Sequence, residues 1–118
     1  MSIKLVAAAA VSLFALASSA AAQDNSLAAK EIMTGSYSKA EHKLLAQMRF
    51  DQRPEVQLNL AAVYYATGRT DQARSLYEQV LQKDEVPMTV TTDRTAGSHA
   101  IAHAGLRYLN QRQRVASR

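Results

Sequence analysis

The sequence predicts an all-α fold: about two antiparallel helix–turn–helix repeats closed by a C-terminal capping helix. Two observations carry this. The segment Gly35-Ser36-Tyr37-Ser38-Lys39-Ala40 returns 33 residues later as Gly68-Arg69-Thr70-Asp71-Gln72-Ala73. The stretches on either side of both glycines carry apolar residues at helical spacing. A turn repeated at this interval between two helices is the signature of a helical-repeat array. The chain has no cysteine, so neither a disulfide nor a thiolate-bound metal can supplement helix packing.

The chain opens with a segment of different character. Met-Ser-Ile-Lys is followed by an apolar stretch from Leu5 to Ala17 and a small-residue end, Ser18-Ser19-Ala20-Ala21-Ala22. This order predicts a cleavable signal peptide over 1–22, leaving Gln23 first in the mature chain. The stretch is shorter than the roughly 20 apolar residues a membrane span needs. The expected location is therefore the periplasm of a bacterial envelope. Of the 96 residues from Gln23 onward, 39 are hydrophobic, which suits one small domain. That domain is expected over 23–110, followed by a basic flexible tail over 111–118.

The elements follow in order. Leu27, Ala28, Ile32 and Met33 predict a short first helix, with Ser26 as its cap. Ala40, Leu44, Leu45 and Met48 predict a second helix, running to about Arg49. Pro54 suits the first turn of a third, where its missing N–H is not needed. That helix carries Leu58, Leu60, Ala61, Ala62, Val63, Tyr64 and Tyr65, apolar around most of its circumference, and so is expected to be covered on several sides. A fourth helix, about Asp71 to Lys83, bears Ala73, Leu76, Tyr77, Val80 and Leu81 on one stripe. Gly35 and Gly68 are expected to end helices in the left-handed conformation, with Ser38 and Thr70 capping the next ones.

From Asp84 to Gly97 the helical pattern stops. Val86-Pro87-Met88-Thr89-Val90-Thr91-Thr92 favours extended backbone, and Asp93 to Gly97 reads as a turn. Ser98 is the expected cap of a fifth helix, with Ile101, Ala102, Gly105, Leu106 and Leu109 as its apolar side. Residues 111–118 offer little to bury and are expected to fray.

Pro54 to Pro87 resembles a tetratricopeptide repeat, the 34-residue helix–turn–helix unit. Leu60, Ala61 and Tyr64 fill three places of the first helix, Gly68 the turn, and Ala73 and Tyr77 two places of the second. Gln57 stands where the family prefers a large apolar residue, and Glu85 at the usual proline. A fainter unit precedes it, carried by Leu27, Ala28, Gly35, Tyr37, Ala40 and Leu44, with Glu31 at an aromatic position. The resemblance implies close helix packing through the small residues Ala61 and Ala73. It also implies a partner-binding face on the inner side of the third helix: Leu58, Asn59, Ala62 and Tyr65. An equal alternative is that Leu58, Ala62 and Tyr65 pack under neighbouring helices and that Asn59 lies at the surface without a ligand.

Chemistry is sparse. His99 and His103 lie one turn apart, but Ala100 occupies the place where zinc hydrolases with that spacing carry glutamate. No third ligand is evident nearby, although Asp93 could reach, so the pair reads as ordinary polar helix positions, and His42 as a solvated one. Ser98 is not in a nucleophile elbow. No phosphate loop is present, and nothing marks Asp84 or Glu85 for a shifted pKa. No cofactor, metal or enzymatic activity is expected.

Charge is uneven. Gln23 to Leu106 carries nine Lys and Arg against ten Asp and Glu, whereas Arg107, Arg112, Arg114 and Arg118 follow with no acid among them. Those arginines either contact an anionic envelope surface or an acidic partner, or simply suit a helix C-terminus. Nucleic acid is not expected. The function implied is an exported scaffold or adaptor for a protein or peptide. The alternative is a self-associating or envelope-associated protein, including a homodimer through the repeat end faces.

Overall fold

The computed structural model describes residues 28–91 and 93–117. The expected signal peptide over Met1 to Ala22, the cap Ser26 and Leu27 lie outside them, as does Arg118. Helix α1 spans Ala29–Met33, α2 Tyr37–Met48, α3 Pro54–Ala66 and α4 Thr70–Leu81. Strands β1 (Pro87–Thr91) and β2 (Arg94–Gly97) follow, and then helix α5, Ser98–Ala116.

The repeated turn is the same hydrogen-bonded structure twice. Gly35 and Gly68 both adopt φ +81°, a left-handed conformation that glycine reaches without a Cβ penalty. Around Gly35, its own N–H donates to Ile32 O at 3.1 Å and Ser36 N–H to Glu31 O at 2.7 Å. Around Gly68, the N–H donates to Tyr65 O at 3.2 Å and Arg69 N–H to Tyr64 O at 2.8 Å. Each pair closes a Schellman motif and uses carbonyls the helix end would otherwise leave open. The threonine before each glycine also repeats: Thr34 Oγ1 donates to Lys30 O at 3.0 Å and Thr67 Oγ1 to Val63 O at 2.8 Å.

The expected caps are corrected. Ser36 and Arg69 hold the N-cap positions of α2 and α4, neither with a side-chain cap bond. The Schellman turn delivers the chain directly into the next helix, so Ser38 and Thr70 already lie inside it. Pro54 is at the start of α3 as expected. Ala28, expected within the first helix, instead precedes it at φ +56°.

Helix α3 is the core element. Every residue from Val56 to Tyr65 is buried, including Gln57 and Asn59. It packs against α2, α4 and α5, which accounts for its apolar circumference. Ala40 and Leu44 of α2 and Ala73, Leu76, Tyr77 and Val80 of α4 are buried in the same core. Leu45, expected among them, is 44% exposed, because one residue past Leu44 is about 100° around the helix and off the stripe. Leu60, Ala61, Tyr64, Ala73 and Tyr77 are all buried. Gln57, at the large apolar position, is only 2% exposed. Its Nε2 donates to Gln79 Oε1 at 3.0 Å, so an amide pair between α3 and α4 replaces apolar contact.

The segment expected as an extended loop is an antiparallel hairpin. Pro87 pairs with Gly97, Met88 with Ala96 and Thr89 with Thr95, and a register shift follows between Thr89 and Thr91. Residues 94–97, expected as a turn, are therefore the second strand. Pairing with β1 satisfies their backbone groups although their own composition carries no strand signal. Met88 is the hairpin's anchor, 4% exposed within the core cluster. Ser98 does not cap α5. Its N–H donates to Val86 O at 2.8 Å, and its Oγ accepts from Val86 N–H at 2.9 Å, which fastens the helix start to the hairpin base.

Helix α5 buries Ile101, Ala102, Gly105 and Leu109 and packs on α4 and α3. At Gly105 an added Cβ would lie 2.3 Å from Tyr77 Cζ, so the glycine is what lets α5 close on the aromatic of α4. The helix continues through the expected flexible tail to Ala116. Arg74 of α4 donates to Asn110 Oδ1 at 3.1 Å and to Gln113 Oε1 at 2.9 Å, which holds those last turns in place.

Candidate interaction surface

Leu58, Ala62 and Tyr65 recur at helical spacing and share one side of α3, with Asn59 beside Leu58. All four are buried, Asn59 completely and Tyr65 to 3% exposure. The expected surface position of Asn59 is thus corrected: a helix packed on several sides has no free face for it. What becomes of Tyr65 is specific. The Arg112 guanidinium lies 3.8 Å above its ring, within cation–π range. Arg112 also donates to Tyr65 O at 2.5 Å, meeting one of the last carbonyls of α3. The Tyr108 ring stands 6.4 Å away at 48°. The stacking area that a partner was expected to use is covered by two residues of α5. Tyr65 Oη is buried and without a hydrogen-bond partner among the described residues. Behind it, burial and the neighbouring Tyr65 push the Tyr77 phenol well above its ordinary pKa.

A second cluster ties the two repeats together. Arg69, the residue after the Gly68 turn, meets Glu41 of α2 in a bidentate pair at 2.6 and 2.9 Å. Its guanidinium sits 4.6 Å from the Tyr64 ring centroid. The hydrogen bonds from Arg69 hold the Glu41 carboxyl below its ordinary pKa, and burial raises that of the Tyr64 phenol. Sequence reading missed this clamp. Its only signal is that Glu41 directly follows the repeated Ala40, one turn past the first glycine turn, as Arg69 directly follows the second glycine.

The two histidines part company. The His99 Nε2 is 2.7 Å from Lys83 O and its Nδ1 3.7 Å from Glu85 Oε1, so it joins α5 to the end of α4. His103, one turn further along the same side of α5, is exposed, as His42 is on α2. Among the described residues no group of three or more His, Cys, Asp or Glu is placed to hold a metal ion. Ser98 is fully buried and engaged by the hairpin. Among the same residues no helix is long and apolar enough to cross a membrane.

The exposed row of α5 consists of His103, Arg107, Asn110 and Arg114. Arg112, grouped with the other tail arginines by sequence, is separated from them by its inward position over Tyr65.

No curated protein and no solved structure matches the chain. Residues 31–87 match the family model described as Tetratricopeptide repeat. The matched span runs from α1 into β1 and takes in both glycine turns, the α3–α4 pair and the Glu41–Arg69 clamp. A repeat of this kind points to a protein–protein interaction scaffold. Two equivalent Schellman turns, small residues at the helix crossings and the matched span agree: residues 31–87 of this chain are a tetratricopeptide-repeat region.

Proposed function

We propose that the chain is a non-catalytic exported scaffold that holds a protein or peptide segment in the bacterial periplasm. The tetratricopeptide-repeat match over 31–87 carries the scaffold reading. The signal-peptide character of Met1 to Ala22 supports export. The binding side of the proposal is the α3 face of Leu58, Asn59, Ala62 and Tyr65, which is buried in the free chain and which a partner reaches at Tyr65 only by displacing Arg112 and Tyr108. There a partner exchanges the internal Arg112–Tyr65 stack for an intermolecular contact, so Arg112 competes with the ligand.

Affinity capture from periplasmic extract tests the site, using the parent chain and the Asn59→Ala and Tyr65→Ala variants. Loss of a partner by either variant with helical circular dichroism unchanged supports the assignment; retention of every partner by both removes it. Recovery of a chain beginning at Gln23 from the periplasm supports export, and a chain retaining Met1 in the cytoplasm overturns it.

A second reading is self-association through the repeat end faces or contact of the C-terminal arginines with the envelope. It draws on the short array, whose ends are large relative to its inner face. Light scattering decides the dimer: a monomer at tens of micromolar excludes it.

A further inference from the structure

Helix α5 extends 19 residues, Ser98–Ala116, without a single acidic side chain. Exposed helices commonly neutralise their own cations through acids one turn away, and here that is impossible. His103, Arg107 and Arg114 are exposed, spaced four and seven residues apart and therefore on one face. None of the three has a hydrogen bond or ion pair among the described residues. The rigidity of α5 places Arg107 and Arg114 about 10 Å apart along the helix axis. Beside this row lies Arg74 of α4, whose guanidinium is oriented by two neutral acceptors, Asn110 Oδ1 and Gln113 Oε1. Its guanidinium makes no ion pair with Asp71 or Glu78, one turn away on α4, among the described residues. This differs from Arg53, Arg69 and Lys43, each paired with a carboxylate.

We infer that this face, His103, Arg107 and Arg114 of α5 with Arg74 alongside, is a docking surface for an acidic polypeptide segment. Guanidinium groups take carboxylates bidentately, and a helix held at both ends offers them at fixed spacing. A lipid surface is the poorer fit. Membrane-bound amphipathic helices set large apolar residues opposite their cations, whereas the opposite side of α5 is buried on α4 and α3. Val115, its one exposed large hydrophobic residue, stands outside the basic row. The inference is independent of the α3 site, because it uses another face and none of Leu58, Asn59, Ala62 or Tyr65.

The test is fluorescence anisotropy with the full chain and a short labelled peptide bearing Glu at every third or fourth position. A peptide with Gln in their place is the control, and vesicles of phosphatidylcholine and phosphatidylserine form a separate arm. The Glu peptide is expected to bind, more weakly as ionic strength rises, and the Gln peptide is not. The double variant Arg107→Glu with Arg114→Glu should weaken Glu-peptide binding by about tenfold or more with unchanged helical circular dichroism. Arg107→Lys with Arg114→Lys, which keeps charge and helix but loses the fork, should fall between. Equal binding of the Glu and Gln peptides, or Glu-peptide binding indifferent to both double variants, would overturn the inference. So would vesicle binding that responds to charge reversal while the peptide fails to bind, which would give the face to lipid.

Discussion

Single residues decide how closely the helices approach. Gly105 sits against the Tyr77 ring with no room for a Cβ, whereas Gly35 and Gly68 have open space but a left-handed backbone. The two cases call for different outcomes. Gly105→Ala should lower thermal stability by about 1–3 kcal/mol through overpacking, and adding Tyr77→Leu should recover part of the loss as a coupled pair. Purely additive losses in thermal melts would show that Gly105 does not act through Tyr77. The Glu41–Arg69 pair sets a pH dependence. Because the folded-state pKa of Glu41 is depressed, its contribution is present above the ordinary carboxylate value near 4.5 and is lost as pH falls through the lower folded value. Both side chains are partly exposed, so the effect is limited to about 1 kcal/mol. The stability gap between the parent and Glu41→Gln should be open at neutral pH and shrink as pH falls below 4.5, as read by urea denaturation. A gap that persists in acid would remove the ion pair as its cause.

At the scale of elements, the helical hairpins were legible and the connections were not. Periodicity located α2 and α4 by a stripe that must be buried and α3 by an apolar run around most of its circumference, and Pro54 and the glycines mark their ends. The hairpin escaped because Arg94-Thr95-Ala96-Gly97 becomes a strand only through pairing with β1. Ser98 escaped its true role for a similar reason: the hydroxyl that suits a cap in sequence is taken by Val86 across the hairpin base. Ser98→Ala should therefore cost about 1–2 kcal/mol, because the Val86 N–H is left unpaired, and should speed amide exchange in β1 and β2. Exchange changed only within α5 would restore the capping role. The final turns of α5 were misjudged from composition alone, since polar side chains do not reveal that Arg74 and Arg112 tether them. Arg112→Ala should expose amides of 110–116 to faster exchange while leaving α3 and α4 protected.

For the molecule as a whole, α5 acts as the closing element of a short array. It covers Tyr77, stacks on Tyr65 and anchors the hairpin, so repeats and cap share one core. Arrays of this size lack the redundancy of long solenoids. Urea unfolding followed by circular dichroism and by tyrosine fluorescence should give coincident single transitions. A chain ending at Lys83 should lose cooperativity, because Tyr77 and the outer face of α4 would be left uncovered. A sharp, unchanged transition in that truncation would show that the cap is dispensable.

The repeat period, the packing positions Leu60, Ala61, Ala73 and Tyr77, and the missing cysteines were enough to establish a helical-repeat scaffold. These are local properties: helix periodicity and left-handed turns are written in neighbouring residues. The availability of the inner face was not written there. Whether Tyr65 faces solvent depends on where α5 lies, and that depends on Gly105 meeting Tyr77 and on Arg112 reaching Tyr65 from 47 residues away. The same long-range packing separated the tail arginines, turning Arg112 inward and leaving Arg107 and Arg114 outward on a rigid helix. Side-chain chemistry named the charges, but the fold assigned each of them its direction.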